Sequence, residues 1–306
     1  MVQGILPLFK PEGVTSHDVV NRVRRILGVR RVGHTGTLDP IATGVLVVCV
    51  GEATRLAEYL SVHGKVYRTR IRLGLTTDTQ DRTGQVLSTV DASGIGEADV
   101  LRALERFKGR IEQVPPMTSA RRYQGKRLYA LARAGREVDR PARAVTIARL
   151  DLLAFEPGPQ PAVDLEVECS AGTYIRTLAA DLGAALGVGG TMEDLVRTQA
   201  GLVRLEDCVT LEQLEQLQAC GRLPDVLRPP AWAMRDWPRT TVNPREAEAL
   251  RCGRTLPIPT GDLPVGLVLA LDEGGNVVAI VRWNGQKIRP QKVFGVSAAP
   301  DCCRSK

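Results

Sequence analysis

One carboxylate in this chain stands where chemistry could use it. Asp39 lies in GHTGTLDPIATG, residues 33 to 44, between a glycine-rich turn and a proline, with the apolar run VLVVCV behind it. Two readings fit. An aspartate before Pro40 suits the start of a helix, as N-cap and first helical residue. A single acid at the mouth of a cleft suits nucleophilic or base catalysis, which needs no metal or redox group. Two further polar side chains sit at a comparable place. CSAGTYIRTLAADLGAALG, residues 169 to 187, reads as a strand end, a turn and a helix closed by glycine. Tyr174 and Arg176 fall at that strand-to-helix junction, where a scaffold presents side chains to a cleft.

The elements that must position these residues are legible in part. VTSHDVVNRVRRILG predicts a helix, with Thr15 and Asp18 as a capping box and Gly28 as its stop. Its arginines, with Arg30 and Arg31, complement the helix C-terminus or form a phosphate-facing edge. VLVVCV, residues 45 to 50, is a buried strand or a short helix, which periodicity alone does not separate. KVYRTRIRLG alternates as a strand, with Tyr67, Thr69, Ile71 and Leu73 on one face and Arg68, Arg70 and Arg72 on the other. A tyrosine on such a face is usually core. A helix is expected over 94–112, a strand at VDLEVEC, residues 163 to 169, and a helix over about 210–221. RLPDVLRPPAWAMRDWPR reads as a linker or packed crossover. Beyond it, GLVLALD and NVVAIVRW form a hairpin across EGG, and KVFGV adds a strand, giving a small β-rich module.

Charge is concentrated rather than spread. The chain has 306 residues, 43% hydrophobic and 25% charged, with 41 Lys+Arg against 34 Asp+Glu. Residues 118 to 143, TSARRYQGKRLYALARAGREVDRPAR, hold eight basic and two acidic side chains, a net +6, with Tyr123 and Tyr129 interleaved. That composition suits phosphate contact combined with stacking on bases or ribose. The plainer alternative is a solvated helix face over Leu128 and Leu131. Seven cysteines show no C-x-x-C spacing, and three scattered histidines form no ligand cluster, so neither a disulfide framework nor a metal is expected. The N-terminus lacks the pattern of a secretory signal, and VLVVCV is far short of the ~20 residues of a membrane span. A cytoplasmic protein without cofactor, membrane anchor or obligate protein partner, and monomeric, is the expectation.

These stretches resemble the bacterial TruB family of tRNA pseudouridine synthases over almost the whole chain. FKPEGVTSHDVV resembles the family's N-terminal lysine-proline motif, GHTGTLDPIATGVLVVCVGEATR its catalytic motif and KVYRTRIRLG its tyrosine motif. PPMTSARRYQGKRLYALARAGREV resembles its RNA-gripping insertion, and CSAGTYIRTLAADLG its arginine motif. The resemblance implies an α+β fold: a mixed, largely antiparallel sheet with flanking helices, plus a C-terminal PUA-like domain. It implies a catalytic domain over 1–235, with the insertion at about 115–143, and an RNA-binding domain over 238–298. The implied reaction isomerises uridine 55 in the T-loop of tRNA to pseudouridine. Asp39 would be the catalytic group and Arg176 its ion-pair partner. Tyr67 would stack on the flipped uracil, Tyr174 and Leu195 would complete the pocket, and His34 would contact the T-loop. Arg121, Arg122, Lys126 and Arg127 would grip the RNA backbone, and Lys10 and Pro11 would support the site. The sequence departs from the family pattern at Phe9, where aspartate is frequent, at Arg122, where lysine is common, and at Val196, where arginine is frequent. Two other readings remain. One is a tRNA-binding or RNA-folding factor with catalysis secondary, which would have no need of the Asp39, Tyr67 and Arg176 set. The other is the related RNA-guided archaeal and eukaryotic branch, against which the bacterial-type insertion argues.

Overall fold

The computed structural model describes residues 2–119, 122–128, 135–136, 138–257 and 263–295, with only the backbone of Arg122, Lys126 and Arg127. Strands run in chain order β1 (Gly4–Lys10), β2 (Val32–His34), β3 (Thr43–Val50), β4 (Lys65–Leu73), β5 (Leu75–Thr77), β6 (Val86–Thr89) and β7 (Gly109–Gln113). They continue as β8 (Arg122–Tyr123), β9 (Lys126–Arg127), β10 (Arg143–Glu156), β11 (Ala162–Cys169), β12 (Gly190–Ala200) and β13 (Val203–Arg204). The main sheet has the order β1-β3-β12-β4-β11-β10-β7, with β2 on β3 and β13 on β12. Among the described residues only β3 and β12 pair in parallel within it, so the sheet is mixed and largely antiparallel, as expected.

Burial explains the two kinds of strand sequence. Leu46, Val48 and Val50 of β3 pack with Leu6 and Leu8 of β1 under the helices Ser16–Leu27 and Leu211–Ala219. Val45, Val47 and Cys49 pack on the other face with Ile5 and with Leu269, Leu271, Ile280 and Phe294 of the C-terminal module. A strand covered on both sides reads as a continuous apolar run, so VLVVCV is a strand. The β4–β11–β10 half is covered on one side only. Ile71, Val163, Leu165 and Leu150 pack with Leu178 and Leu182 of the helix Ile175–Ala185 and with Val100 and Leu104 of the helix Glu97–Leu104. Its other face is a ladder of ion pairs, Arg68 with Glu166, Arg72 with Glu193 and Arg149 with Glu166. The clean alternation of KVYRTRIRL follows from that asymmetry.

Several elements differ from the sequence expectation. The helix within 94–112 ends at Leu104, a short 3₁₀ turn follows, and Gly109–Gln113 is the edge strand β7, paired with Arg143–Ile147. Gly109, at φ +81°, supplies the break. Of the arginines in and after the first helix, Arg22 pairs with Glu215, Arg24 donates to Val32 O and Arg31 pairs with Glu52. These three are tied to protein partners. The proline-tryptophan stretch is a packed crossover with Ala233 and Met234 buried. The C-terminal module is a five-stranded sheet of β14 (Arg239–Thr241), β15 (Leu256–Pro257), β16 (Gly266–Leu271), β17 (Val277–Trp283) and β18 (Lys287–Val293), in the order β14-β16-β17-β18-β15. The β16–β17 hairpin matches the expected one; the helix Pro244–Arg251 and strands β14 and β15 were not foreseen. No helix among the described residues is long and apolar enough to cross a membrane.

Candidate active site

The loop that carries Asp39 joins β2 to β3, and it is tied down from three sides. No helix begins at Asp39. Its carbonyl accepts from Ala42 N at 3.0 Å, closing one turn, and β3 starts at Thr43. This removes the helix-cap reading. Lys10, fully buried at the end of β1, donates from Nζ to Pro40 O at 3.2 Å and Ala42 O at 2.6 Å, holding that turn from behind. Ser16, in the first turn of its helix, exchanges hydrogen bonds with Leu38 through its hydroxyl, accepting from Leu38 N at 2.8 Å and donating to Leu38 O at 3.1 Å. Arg197 of β12 donates to Val45 O at 2.7 Å, Gly36 O at 3.1 Å and Thr37 O at 3.4 Å. A loop whose carbonyls are held by buried cations has little freedom to move its carboxylate.

Across a cavity of about 410 Å³ this loop faces the sheet and the junction after β11. Asp39, Tyr67, Tyr174, Arg176 and Leu195 all line it. Side chains two apart on a strand share a face, so Lys65 and Tyr67 of β4 stand beside Leu195 and Arg197 of β12; Arg197 and Tyr67 are register partners. Tyr67 is 8% exposed, and burial pushes its phenol above its ordinary pKa. Tyr174 precedes the helix Ile175–Ala185, and Gln113 of β7 holds its backbone, accepting from its N at 3.0 Å and donating to its O at 3.3 Å.

Arg176 is 4% exposed and stands between two carboxylates. Its Nε lies 2.9 Å from Asp39 Oδ2, and its guanidinium lies 3.7 Å from Asp81 Oδ2. It also donates to Thr79 O at 3.2 Å and to the hydroxyl of Thr118, at the head of the basic insertion. Asp81 is itself held by the hydroxyls of Thr79 and Thr83 and by Thr83 N, at 2.8, 2.5 and 3.0 Å. A guanidinium fixed by this many acceptors orients a carboxylate rather than merely neutralising it.

His34 is apart from this group. It lies at the end of β2, its Nδ1 accepts from Gly36 N at 3.2 Å, and burial, then the charges of Arg197 and His17, lowers its pKa. Of the basic insertion, Arg121 and Tyr129 lie outside the described residues. Arg122 and Lys126–Arg127 form a two-stranded hairpin, β8 and β9, turned by Gln124 and Gly125, both at positive φ. Leu128 beneath it is buried. Phe9 pairs with Val45 within the sheet, and Val196 lies on β12 beside Thr43. Sequence reasoning missed Lys65, Asp81, Gln113, Thr118 and Arg197. Asp81 sits in TDTQDRTG, a polar turn-like stretch with nothing to distinguish its acids. Arg197 follows Leu195 at strand spacing, which was a usable signal once β12 was seen as a strand.

Comparison with known proteins gives the family. The sequence matches the N-terminal domain of TruB family pseudouridylate synthases over residues 24–175 and the C-terminal domain of tRNA pseudouridylate synthase B over residues 176–233. It is similar to tRNA pseudouridine synthase B of Symbiobacterium thermophilum, 55% identical over 80% of each chain. The protein of that name from Pelotomaculum thermopropionicum is 41% identical over 96% of this chain and 95% of its own. The one from Geobacillus thermodenitrificans is 44% identical over 96% and 100%. Among solved structures, a chain of a Cbf5–Nop10–Gar1 complex superposes with a TM-score of 0.74 at 26% identity, covering 95% of this chain and 85% of that one. A chain of an H/ACA ribonucleoprotein bound to a substrate RNA superposes with a TM-score of 0.73 at 25% identity, covering 96% and 85%. With a sequence match that spans nearly the full length of such relatives and a fold shared with these solved structures, the chain belongs to the TruB family of pseudouridylate synthases.

Proposed function

We propose that this chain converts the uridine at conventional position 55 in the T-loop of tRNA to pseudouridine, with Asp39 as its catalytic group. The observation that carries the reading is the Asp39–Arg176 ion pair on the wall of a cavity that Tyr67, Tyr174 and Leu195 also line. The reaction breaks the N1–C1′ bond, turns the uracil, and joins C5 to C1′, with loss of the proton from C5 and gain of one at N1. Nothing is oxidised or reduced, and one carboxylate suffices, whether it attacks C1′, adds to C6 or removes the 2′ proton. The target base must leave its stack to be reached. The ring of Tyr67 then serves as platform for the uracil, Leu195 and Tyr174 flank it, and His34 meets the T-loop outside the cavity. The insertion at about 115–143, with Arg121, Arg122, Lys126 and Arg127, grips the backbone, and its Thr118 contact with Arg176 links that grip to the catalytic pair. The C-terminal module over 238–298 adds RNA affinity.

The test incubates unmodified tRNA transcript with wild type and with Asp39→Asn and maps pseudouridine along the T-loop. Conversion by wild type, lost in the variant while RNA binding persists, is the expected result. Binding by wild type without conversion would sink the enzyme reading for this substrate and favour an RNA-folding role. Equal conversion by the variant would remove Asp39 from the chemistry.

A further inference from the structure

The charges around the catalytic cavity do not balance. Arg176 has two carboxylates, Asp39 and Asp81. Lys65 and Arg197, on neighbouring strands of the same cavity wall, have none: among the described residues no carboxylate lies within ion-pair distance of either. Both are buried, at 8% and 2% exposure. Lys65 Nζ donates to Ser61 O at 2.6 Å and His63 O at 2.5 Å, and the bonds of Arg197 run to the carbonyls of Gly36, Thr37 and Val45 and to the Tyr67 hydroxyl. An ammonium has three N–H bonds and a guanidinium five, so each keeps donors in hand. Carbonyl dipoles compensate a buried cation only in part, and two like charges side by side in a low dielectric repel. The Lys65 amine is accordingly pushed down to about 8, by burial first and by the charge of Arg197 second.

Gly36 marks the space between them. A Cβ built there would stand 3.7 Å from Arg197 Nη1 and 3.9 Å from Lys65 Cε, and Gly36, Lys65 and Arg197 all line the catalytic cavity. Backbone without a side chain, between two buried cations with spare donors, is the arrangement that admits an anion to close approach.

We propose that Gly36, Lys65 and Arg197 form an anion seat that takes the phosphodiester adjoining the target uridine. This rests on the reading that the substrate is RNA, and it deepens it. The seat and the Arg176–Asp39 pair line the same cavity, Gly36 three residues before Asp39 on one loop, so a seated phosphate would fix the ribose in the cavity that the carboxylate also faces. The same seat supplies the two buried cations with the counter-charge they lack, so the cost of burying them is recovered when substrate binds.

The test changes the substrate as well as the protein. A T-arm stem-loop RNA is made with a single uncharged methylphosphonate linkage on the 5′ or the 3′ side of the target uridine. Binding and single-turnover conversion are measured with the full-length chain. For wild type, one of the two neutral linkages is expected to weaken binding about tenfold or more, since a hydrogen bond to a charged group is lost. Lys65→Met is expected to weaken binding of the all-phosphodiester RNA by a similar factor, and the sensitive methylphosphonate should then cost it little more. Gly36→Ala serves as the second variant. Its Cβ meets ordinary van der Waals distances, so its unfolding midpoint should match wild type while its RNA affinity falls. Wild type that tolerates both neutral linkages overturns the proposal, as do effects of Lys65→Met and methylphosphonate that simply multiply. Failure of wild type to convert the unmodified RNA would sink the assigned function instead, and the binding measurements would still read the seat.

Discussion

Arg176 Nε lies 2.9 Å from Asp39 Oδ2 while the far side of the same guanidinium faces Asp81 at 3.7 Å. The planar fork allows one buried side chain to serve two carboxylates, and a lysine cannot reproduce it. Asp39→Asn should lower single-turnover conversion by about 10³-fold or more. Arg176→Lys keeps the charge but loses the aim, and a loss of about 10²-fold is expected. Asp81→Asn removes only the rear support and should cost about tenfold, with RNA affinity unchanged. Release of hydrogen from C5 of the target uridine measures all three. A loss in Asp81→Asn equal to that in Asp39→Asn would show that Asp81 is more than a support.

Gly44, at the start of β3, sets how closely the strand after the Asp39 loop approaches β12. Its φ is +101°, and a Cβ there would lie 2.2 Å from Arg197 O and 2.9 Å from Arg197 N. Both atoms are backbone of the parallel pairing between β3 and β12, so neither can step aside. Gly44→Ala should cost about 3 kcal/mol or more. Gly13 is the control: its φ is +83° but nothing lies within 4 Å of its would-be Cβ. Gly13→Ala should cost only the left-handed backbone penalty, about 1–2 kcal/mol. Urea unfolding midpoints compare the two, and equal losses would mean that the contact with Arg197 contributes nothing.

The sequence was most readable where one physical cause acted alone. KVYRTRIRL alternates because β4 has one covered and one solvated face, and Thr15 with Asp18 caps its helix by local hydrogen bonds. VLVVCV was ambiguous because β3 is covered on both faces, which erases the alternation. Strand β12 was missed because its register shifts near Met192 and again near Arg197, and each shift breaks the period of two. With that strand unseen, Leu195 could be named only through the family resemblance, and Arg197 not at all. The site shows the same division. Asp39, Tyr174 and Arg176 stood out beside glycine turns, whereas the burial of Lys65, Asp81 and Arg197 depends on what packs over them.

Glu166 offers a test of the solvated face. It accepts from Arg68 Nε at 2.9 Å and from an Arg149 Nη at 2.6 Å, and those bonds, Arg68 first, hold its carboxyl below the usual range. A depressed carboxyl pKa contributes stability above the unfolded value, and the contribution is lost as pH falls through the folded one. Both arginines are largely solvent-exposed, so the pair contributes little. Glu166→Gln should change stability at pH 7 by less than about 1 kcal/mol, and should make the acid limb below about pH 4.5 shallower. A loss of several kcal/mol at neutral pH would mean that the ladder holds the sheet together.

Lys10 and Lys65 give the protein two opposed pH trends. Burial pushes both amines from 10.5 down to about 8 in the folded state. Between about pH 8 and 10.5 these two amines therefore hold more protons in the unfolded chain than in the folded one, and their contribution to the free energy of unfolding rises with pH across that window. Each amine contributes at most about 1.4 kcal/mol per pH unit. Burial also pushes the thiols of Cys49, Cys169 and Cys208 up, to about 12, 11 and 12, and these act in the opposite sense above about pH 9. The lysine contribution is therefore read as a difference: between about pH 7.5 and 9.5, urea titrations should show Lys65→Met losing stability relative to wild type. Conversion should move the other way. A neutral Lys10 has two N–H bonds left for the three carbonyls of Pro11, Pro40 and Ala42 that it now serves. One of those bonds is lost, the turn behind Asp39 loosens, and single-turnover conversion falls above about pH 8. An equal change with pH in wild type and Lys65→Met would show that the Lys65 amine is not titrating as its burial requires.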